Sequence, residues 1–422
     1  MHIFPIQRVI HRVFSSILAC IFALSLLTPP VQAEILLPVP GSLVQTSPVY
    51  TPAIIKGLTI HPEDPFLFDF IVHPGDTNLD SEDFQQESQK LIKYFLASLT
   101  VPEKEMWVNL SPDGQDRIIP EAFGQTEMGR DLLAQDYMLK QLTASLMYPE
   151  EELGKKFWEQ VYDKANNEQD IDEIPADIFH KVWIVPERAT IYENGANVFI
   201  VDTKLKVLLE DDYKNVVGSK WSVVGEKQNP TTYHLPRTTL IKELILPEIE
   251  REVNEGQTFA NLRQIYNSVI LATWYKQNLK QSLLSKIYID QGKTRGVDHN
   301  EEGINEKIFQ QYMEAFEKGV FDMVKEEYDP ESQELVARKY FSGGAVMDPT
   351  SVINAAKGTE DLEADLAGSA VVQAEATGWN APRGRRTFLR QLFGGTALLC
   401  TGMNFGLVDL ARAVSTAGLT CG

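Results

Sequence analysis

The chain is organised around the segment from Thr258 to Asp290, which reads TFANLRQIYNSVILATWYKQNLKQSLLSKIYID. Its apolar residues recur every three or four positions, which is the spacing of one face of an α-helix. No proline or glycine interrupts the chain between Gln257 and Gln291. The sequence therefore predicts that the longest helix of the protein lies here. We expect it to be a central packing element, with most of its polar residues away from the buried face.

Helical and extended patterns alternate through the rest of the body. Ser81 and Thr126 are residue types that cap helix N-termini, and apolar residues at helical spacing follow each of them. Between residues 182 and 201, short apolar runs flank Asn194-Gly195, a dipeptide that favours a two-residue hairpin turn. We predict an α+β fold, with a mostly helical body and a central β-hairpin or small antiparallel sheet.

Composition divides the chain into five parts. Proline-punctuated sequence predicts an extended arm or edge strand, and sequence rich in Ala, Gly and acidic residues predicts a linker. In chain order the expected parts are a signal peptide (1–33), a Pro-rich extended arm (34–65), a globular body (66–344), a flexible linker (345–384) and an Arg-led tail (385–422). The body is either one unit or two subdomains, 66–180 and 181–344.

The N-terminus has the layout of a secretory signal peptide. Arg8 and Arg12 precede an apolar run, Val13–Leu27, and Val31-Gln32-Ala33 supplies small residues at a cut site. The apolar run is shorter than the roughly 20 residues that a membrane-spanning helix needs. Lipoprotein processing at Cys20 is the less favoured alternative, because it leaves almost no apolar centre before the cysteine. The sequence predicts an exported protein, periplasmic or secreted, whose first partner is the export machinery.

Cleavage after Ala33 should leave Glu34 as the first residue of the mature protein. N-terminal sequencing of protein recovered from the envelope or the medium measures this directly. Intact Met1 on cytoplasmic protein would contradict export.

The charge of the chain is unevenly distributed. The net charge is −20, and residues 34–382 carry 32 Lys and Arg against 58 Asp and Glu. A body this acidic repels nucleic acid, so we expect no nucleic-acid partner. Of the three cysteines, only Cys400 and Cys421 follow the signal peptide, which excludes a disulfide framework and a structural zinc cluster.

The C-terminal tail is basic. It contains Arg385-Arg386-Thr387-Phe388-Leu389-Arg390 followed by a moderately apolar run, and this arrangement resembles a twin-arginine export signal. Such signals act at an N-terminus, whereas this one lies near the C-terminus. The sequence leaves three interpretations: a segment that contacts a membrane surface, the start of a different protein joined by a reading error, or a chance match.

Common catalytic motifs are absent from the sequence. It has no GxSxG, HExxH, GxxxxGK[ST], GxGxxG or CxxC pattern, so the corresponding hydrolase, metalloprotease, nucleotide and redox classes have no motif in their favour. We predict no catalytic residue and no cofactor.

Two His-Pro-x-Asp tetrads are the only candidate metal site. They supply His61, Asp64, His73 and Asp76, and imidazole and carboxylate are good ligands for zinc or manganese. A predicted strand, Phe66–Val72, separates the tetrads and would hold them far apart. The favoured interpretation is therefore that each tetrad forms a turn at one end of this strand.

Asp298-His299-Asn300-Glu301-Glu302-Gly303 has the oxygen ligands and the glycine that begin a calcium-binding loop. The twelfth position of such a loop requires a bidentate Glu, and here it is Phe309. We therefore interpret this stretch as the turn before a helix, which we expect to run from Ile304 to Glu327.

Three stretches carry a resemblance to a known family: FIVHPGDTNLDSEDFQQESQKLIKYFLASL (70–99), IPEAFGQTEMGRDLLAQDYMLKQLTASLMYP (119–149) and ARKYFSGG (337–344). They resemble a family of exported bacterial proteins with no assigned activity, over about residues 68–344. The resemblance implies export and supplies no functional residues.

The sequence favours an exported, non-catalytic structural or interaction protein, with another envelope protein as its partner. The first alternative is a periplasmic metal-dependent hydrolase that uses the His61 and His73 region. The second is a folding helper for envelope proteins, indicated by the long helices and the extended arm.

Overall fold

The protein is described by a computed structural model. The described residues are 37–61, 64–78, 80–110, 118–148, 151–167, 182–210, 212–213, 241–279, 303–317, 327–329, 334–336, 343–356 and 366–375. From Pro38 onward they belong to one compact unit. The predicted signal peptide and the Arg-led tail lie outside the described residues.

Helices and strands both contribute to this unit, and the α+β class is confirmed. The strands are β1 Ile54–His61, β2 Asp64–His73, β3 Trp107–Leu110, β4 Val182–Asn194, β5 Asn197–Leu209, β6 Glu327–Asp329, β7 Glu334–Val336, β8 Gly343–Val346, β9 Ile353–Ala355 and β10 Ala370–Glu375. The helices are α1 Glu82–Thr100, α2 Glu121–Gly124, α3 Glu127–Leu146, α4 Glu152–Asn167, α5 Leu246–Glu255, α6 Ala260–Leu279 and α7 Ile304–Glu317. No described helix is both long enough and apolar enough to cross a membrane.

An eight-stranded mixed sheet forms the framework, in place of the small sheet or single hairpin that the sequence indicated. Seven of its strands follow the order β10-β2-β1-β5-β4-β8-β3, and β9 also pairs with β4. The pairs that β4 makes with β8 and with β9 are parallel, and the other pairs in this sheet are antiparallel. Strands from both sides of residue 180 share this sheet, so the two proposed subdomains are not separate bodies in the described structure.

Helix α6 lies at the centre of the helical layer. It contacts helices α1, α3 and α5 and strands β1 and β5. Every side chain from Gln264 to Lys276 is buried, including five polar or charged ones: Gln264, Asn267, Ser268, Thr273 and Lys276. The sequence predicted one buried face, and the difference arises because neighbouring elements surround the helix. Residues 280–290 of the predicted helix lie outside the described residues.

Four aromatic rings join α6 to the sheet. Phe68 of β2 lies 5.3 Å from the ring of Phe95 on α1 and 5.1 Å from that of Tyr275 on α6, both in edge-to-face geometry. Phe70 of β2 contacts Phe95 in the same way at 5.0 Å. Edge-to-face contacts of this kind add about 0.5–1.5 kcal/mol each beyond the area they bury.

The predicted helix starts are confirmed at both caps. The hydroxyl of Ser81 accepts a hydrogen bond from the Phe84 amide at 3.1 Å, and that of Thr126 accepts one from the Gly129 amide at 2.9 Å. The predicted end of the last helix at Glu327 is wrong, because Glu327 begins strand β6. The described part of this helix, α7, extends from Ile304 to Glu317.

Strand β4 continues through Pro186, although proline is uncommon inside a paired strand. Pro186 lies opposite Leu205 of β5, and a bulge follows it before Arg188. On the other side of β4, β8 pairs with Val182–Ile184 and β9 pairs with Ala189–Ile191. Pro186 therefore falls between these two partners, where no pairing requires its missing amide donor.

The turn between β4 and β5 is displaced by one residue from the predicted position. Asn194 and Asn197 pair with each other, so Gly195 and Ala196 are the two loop residues. Gly195 has a φ of +59°, the left-handed conformation that the first loop position of a tight hairpin requires.

The predicted extended arm is part of the fold. β1 lies between β2 and β5, so it is an inner strand rather than an edge strand. The segment before it, residues 38–53, is here called the N-terminal strap. Two backbone hydrogen bonds attach the strap to the chain where α5 ends and before α6 begins. The Tyr50 amide donates to the Glu255 carbonyl (2.9 Å), and the Gln257 amide donates to the Pro48 carbonyl (3.1 Å).

The predicted linker is wrong where the structure describes it. β8 and β9 pair with β4, and β10 pairs with β2 over six residues. Leu366 is fully buried in a cluster with Ile71 of β2 and Phe199 of β5. Small side chains weaken the sequence signal of such strands, yet their backbone amides and carbonyls complete the sheet.

Gly75 and Gly195 provide a matched test of how the strap docks, because both have a φ of +59°. A Cβ at Gly195 would meet no atom within 4 Å, whereas a Cβ at Gly75 would lie 2.0 Å from the carbonyl oxygen of Thr51 in the strap. Gly195→Ala should lower the free energy of unfolding by about 1–2 kcal/mol, the cost of the left-handed backbone alone. Gly75→Ala should cost a further ~1–3 kcal/mol from the collision.

Chemical denaturation of both variants measures this difference. Equal losses at the two positions would show that the strap does not approach Gly75 closely.

Candidate functional site

The two histidines among the four candidate metal ligands lie at opposite ends of the β1–β2 pair. In the β1–β2 pair, His61 lies opposite Asp64 at one end and His73 lies opposite Ile54 at the other. His61 Nε2 is 2.9 Å from Asp69 Oδ2, and His73 Nδ1 accepts the Gly75 amide at 3.0 Å. The two histidines therefore mark opposite ends of a hairpin and have different local partners.

Asp76 and the calcium-like stretch add no assembled metal site within the described residues. Asp76 Oδ2 accepts the amide of Thr51 at 2.8 Å, which places it in contact with the strap. Residues 298–302 of the calcium-like stretch lie outside the described residues, and Phe309 lies within α7. In the part of the chain that the structure describes, no group of three or more His, Cys, Asp or Glu side chains is arranged to hold a metal ion.

A cluster of ionisable and amide side chains lies where α1, α3 and α6 meet. We call it the interhelical cluster, and its members are Glu87, Lys90, Lys93 and Tyr94 on α1, Glu127 and Asp131 on α3, and Asn261 and Gln264 on α6. Glu87, Lys90 and Tyr94 on α1 are spaced three or four residues apart, as are Glu127 and Asp131 on α3, so each helix presents them on one face.

Each helix is tied to another through this cluster. Between α1 and α3, the Tyr94 hydroxyl donates to the Asp131 carboxylate, and Lys93 Nζ lies 3.0 Å from Glu127 Oε2. Between α1 and α6, Lys90 Nζ donates to Asn261 Oδ1 at 3.2 Å. A further α1–α6 bond runs from Gln264 Nε2 to Glu87 Oε2 at 2.7 Å.

Asp131 is the group in this cluster best suited to exchange a proton near neutral pH. Burial raises its pKa to about 6, and the hydrogen bond from Tyr94 opposes that rise. Burial also raises the pKa of Tyr94 well above its usual value, and the adjacent Asp131 carboxylate adds to this. A carboxyl and a phenol in contact can perform acid–base chemistry, although ion-pair networks that only stabilise a fold shift pKa values in the same way.

Helix α3 also contains a more deeply buried pair, Asp136 and Lys140, which we call the α3 buried pair. Their side chains are 0% and 2% exposed, and Lys140 Nζ lies 2.5 Å from Asp136 Oδ1. The second carboxylate oxygen, Asp136 Oδ2, accepts the backbone amide of Leu110 in β3 at 2.9 Å. Burial raises the pKa of Asp136 and lowers that of Lys140, so it favours the neutral form of each group.

A third buried charge holds the strap. Glu252 of α5 has a fully buried side chain whose carboxylate accepts the amide of Ser47 at 3.0 Å and also its hydroxyl. The Ser47 hydroxyl oxygen in turn accepts the amide of Thr258 at 3.0 Å.

Arg263 also holds the strap. It donates to the carbonyl oxygens of Gly256 (2.8 Å) and Tyr50 (2.7 Å). Burial lowers the pKa of Arg263 to about 10, and the carboxylate of Glu252 opposes this.

Sequence analysis did not single out any of these clusters. The spacing of Asp136 and Lys140 by four residues within a helix rich in apolar residues was an available signal. The contacts of Glu252 with Ser47 and of Asp131 with Tyr94 join positions far apart in the chain, and no local pattern indicates them.

Comparison with known proteins adds no functional residue to those described above. No protein-family model, curated protein or solved structure matches this chain.

The raised pKa of Asp131 predicts a pH dependence of stability. Its value of about 6 in the folded protein exceeds the ordinary 3.8, so the folded state holds the proton more tightly than the unfolded state does. The contribution of Asp131 to the free energy of unfolding should therefore fall as the pH rises from about 4 to about 6. Asp131→Asn removes this titration, so the stability of the wild type relative to the variant should decrease over that interval.

Urea denaturation of both proteins at several pH values measures the difference. Glu159→Gln, which replaces an exposed carboxyl on α4, controls for the loss of one negative charge. A stability difference that increases with pH over this range would contradict the assignment.

Proposed function

We propose that this protein is an exported, non-catalytic structural or interaction protein. One observation supports the proposal. The buried side chains of Asp136, Glu252 and Lys276 each form hydrogen bonds to a segment that is distant in the sequence. Asp136 holds β3, Glu252 holds the strap, and Lys276 of α6 donates to the carbonyl oxygen of Val101 at 2.9 Å and to Glu103 at 3.1 Å. Buried polar contacts of this kind hold the elements of a fold in position and are typical of a structural role.

Export and partner are inferred from the sequence. The N-terminal pattern favours a periplasmic or secreted location. The acidic body favours a protein partner in the envelope over nucleic acid. The tail is proposed to contact a membrane surface or to belong to a different protein. We also propose that helix makes up the larger part of the body, with the β4–β5 hairpin at its centre.

The alternative of a metal-dependent hydrolase requires His61 and His73 to lie close enough to bind the same metal ion. Within the described structure these residues lie at opposite ends of the β1–β2 pair. The alternative of an envelope folding helper draws on a free extended arm, and the strap is bonded to the body along its length. Neither alternative gains a specific observation in its favour.

Metal content separates the proposal from the hydrolase alternative. Full-length mature protein, incubated with zinc or manganese and then dialysed, should retain less than one metal ion per chain, because the candidate ligands do not converge. Elemental analysis by mass spectrometry measures the metal-to-protein ratio.

His61→Ala and His73→Ala serve as matched variants. If the wild type retained one equivalent of metal and both variants lost it, the histidines would share a site. The hydrolase alternative would then replace the proposal.

A further inference from the structure

The α3 buried pair is placed for a covalent reaction that is independent of the proposed function. We propose that Lys140 and Asp136 condense to form an intramolecular amide bond, a cross-link between side chains one turn apart on α3. The modification would make α3 a stapled helix beneath β3.

The first requirement for this reaction is that the amine and the carboxyl group lie close together, and the two side chains meet it. Lys140 Nζ is 2.5 Å from Asp136 Oδ1, and both side chains are almost completely buried. Residues four apart on a helix have Cβ atoms about 5–6 Å apart, a gap that the joined side chains can span without breaking the helix. Holding two reacting groups together in this way replaces a bimolecular encounter by an intramolecular step, which is the largest advantage that position alone can give.

Burial meets the second requirement, which is that both groups react in their neutral forms. An amine attacks a carbonyl only when it is unprotonated, and a carboxylic acid accepts the attack far better than a carboxylate does. Burial shifts the pKa of each group toward neutrality. A buried ion pair is costly to keep, since the loss of hydration can exceed the attraction between the charges, and condensation removes both charges.

The third requirement is a hydrogen-bond donor for the oxygen on which negative charge develops, and the backbone of β3 supplies it. The amide of Leu110 donates to Asp136 Oδ2 at 2.9 Å, whereas the hydrogen bond from Lys140 reaches Oδ1. When Nζ attacks Cγ, negative charge develops on Oδ2, and a fixed N–H donor stabilises such charge in a buried site. Oδ2 then remains as the carbonyl oxygen of the new amide, and Leu110 keeps its acceptor.

The reaction balances with no other reagent. The Nζ–Cγ bond forms and the Cγ–Oδ1 bond breaks. One proton from the amine transfers to Oδ1, which already carries the proton of the carboxylic acid and leaves as water. Lys140 keeps one N–H, and no electron donor or acceptor is required.

In the described part of the helical layer, the other lysine–carboxylate pairs are more exposed to water. Lys90 and Glu87 on α1 also lie within one helix, with Nζ 2.8 Å from Oε2, but their side chains are 17% and 34% exposed. Exposure to water favours the charged forms of both groups, so this pair should remain unlinked. It serves as the matched control within the same chain.

Mass spectrometry of the full mature chain tests the proposal. After the folded protein has stood at neutral pH and has then been denatured, its intact mass should be lower than the sequence mass by one water molecule. Trypsin does not cleave after an acylated lysine, so digestion of the denatured chain should leave the bond after Lys140 uncut. Cleavage after Lys90 should be complete.

Lys140→Arg should restore the full sequence mass, because a guanidinium does not act as the nucleophile at these pH values. Asp136→Ala should do the same. The wild-type measurement decides the matter even if these variants fail to fold. A wild-type chain with the full sequence mass and normal tryptic cleavage after Lys140 overturns the proposal, and the function proposed above would be unaffected.

Discussion

The central helix is enclosed by protein, so its polar side chains need hydrogen-bond partners within the protein. An unpaired donor in such a place costs about 1–3 kcal/mol, and more when it is charged. Arg263, Gln264 and Lys276 avoid that cost by donating to backbone carbonyls of elements that surround α6. Their acceptors are Tyr50 and Ala53 in the strap and Val101 after α1. The positions of the strap and of α1 therefore follow from the burial of one helix.

The same constraint explains how charge is used elsewhere in the interior. Glu252 receives donors from Ser47 and holds the strap against α5, while Tyr94 and Asp131 join α1 to α3. The two members of the α3 buried pair lie one turn apart on the same helix, and both side chains are almost completely buried. An amide bond between them would resolve the cost of burial by removing the charges instead of pairing them.

Local chemistry determined which features the sequence could reveal. Ser81 and Thr126 were predictable as caps because each bonds an amide three residues away. Strands β8 to β10 were not, since small residues contribute little pattern and their pairing partners, β2 and β4, are distant in the chain. Strand β4 can contain Pro186 because this residue lies between the segments that pair with β8 and β9. No local sequence pattern indicates where those partners pair. The interhelical cluster likewise exists only once three helices have packed.

The fold depends on the enclosure of α6, and native-state hydrogen exchange of the full mature protein measures this dependence. Amides from Ile265 to Lys276 should belong to the slowest class and exchange only through global unfolding, with the same free energy as the inner strand β1. Exchange of these amides through a local opening, while β1 and the sheet stay protected, would contradict this dependence.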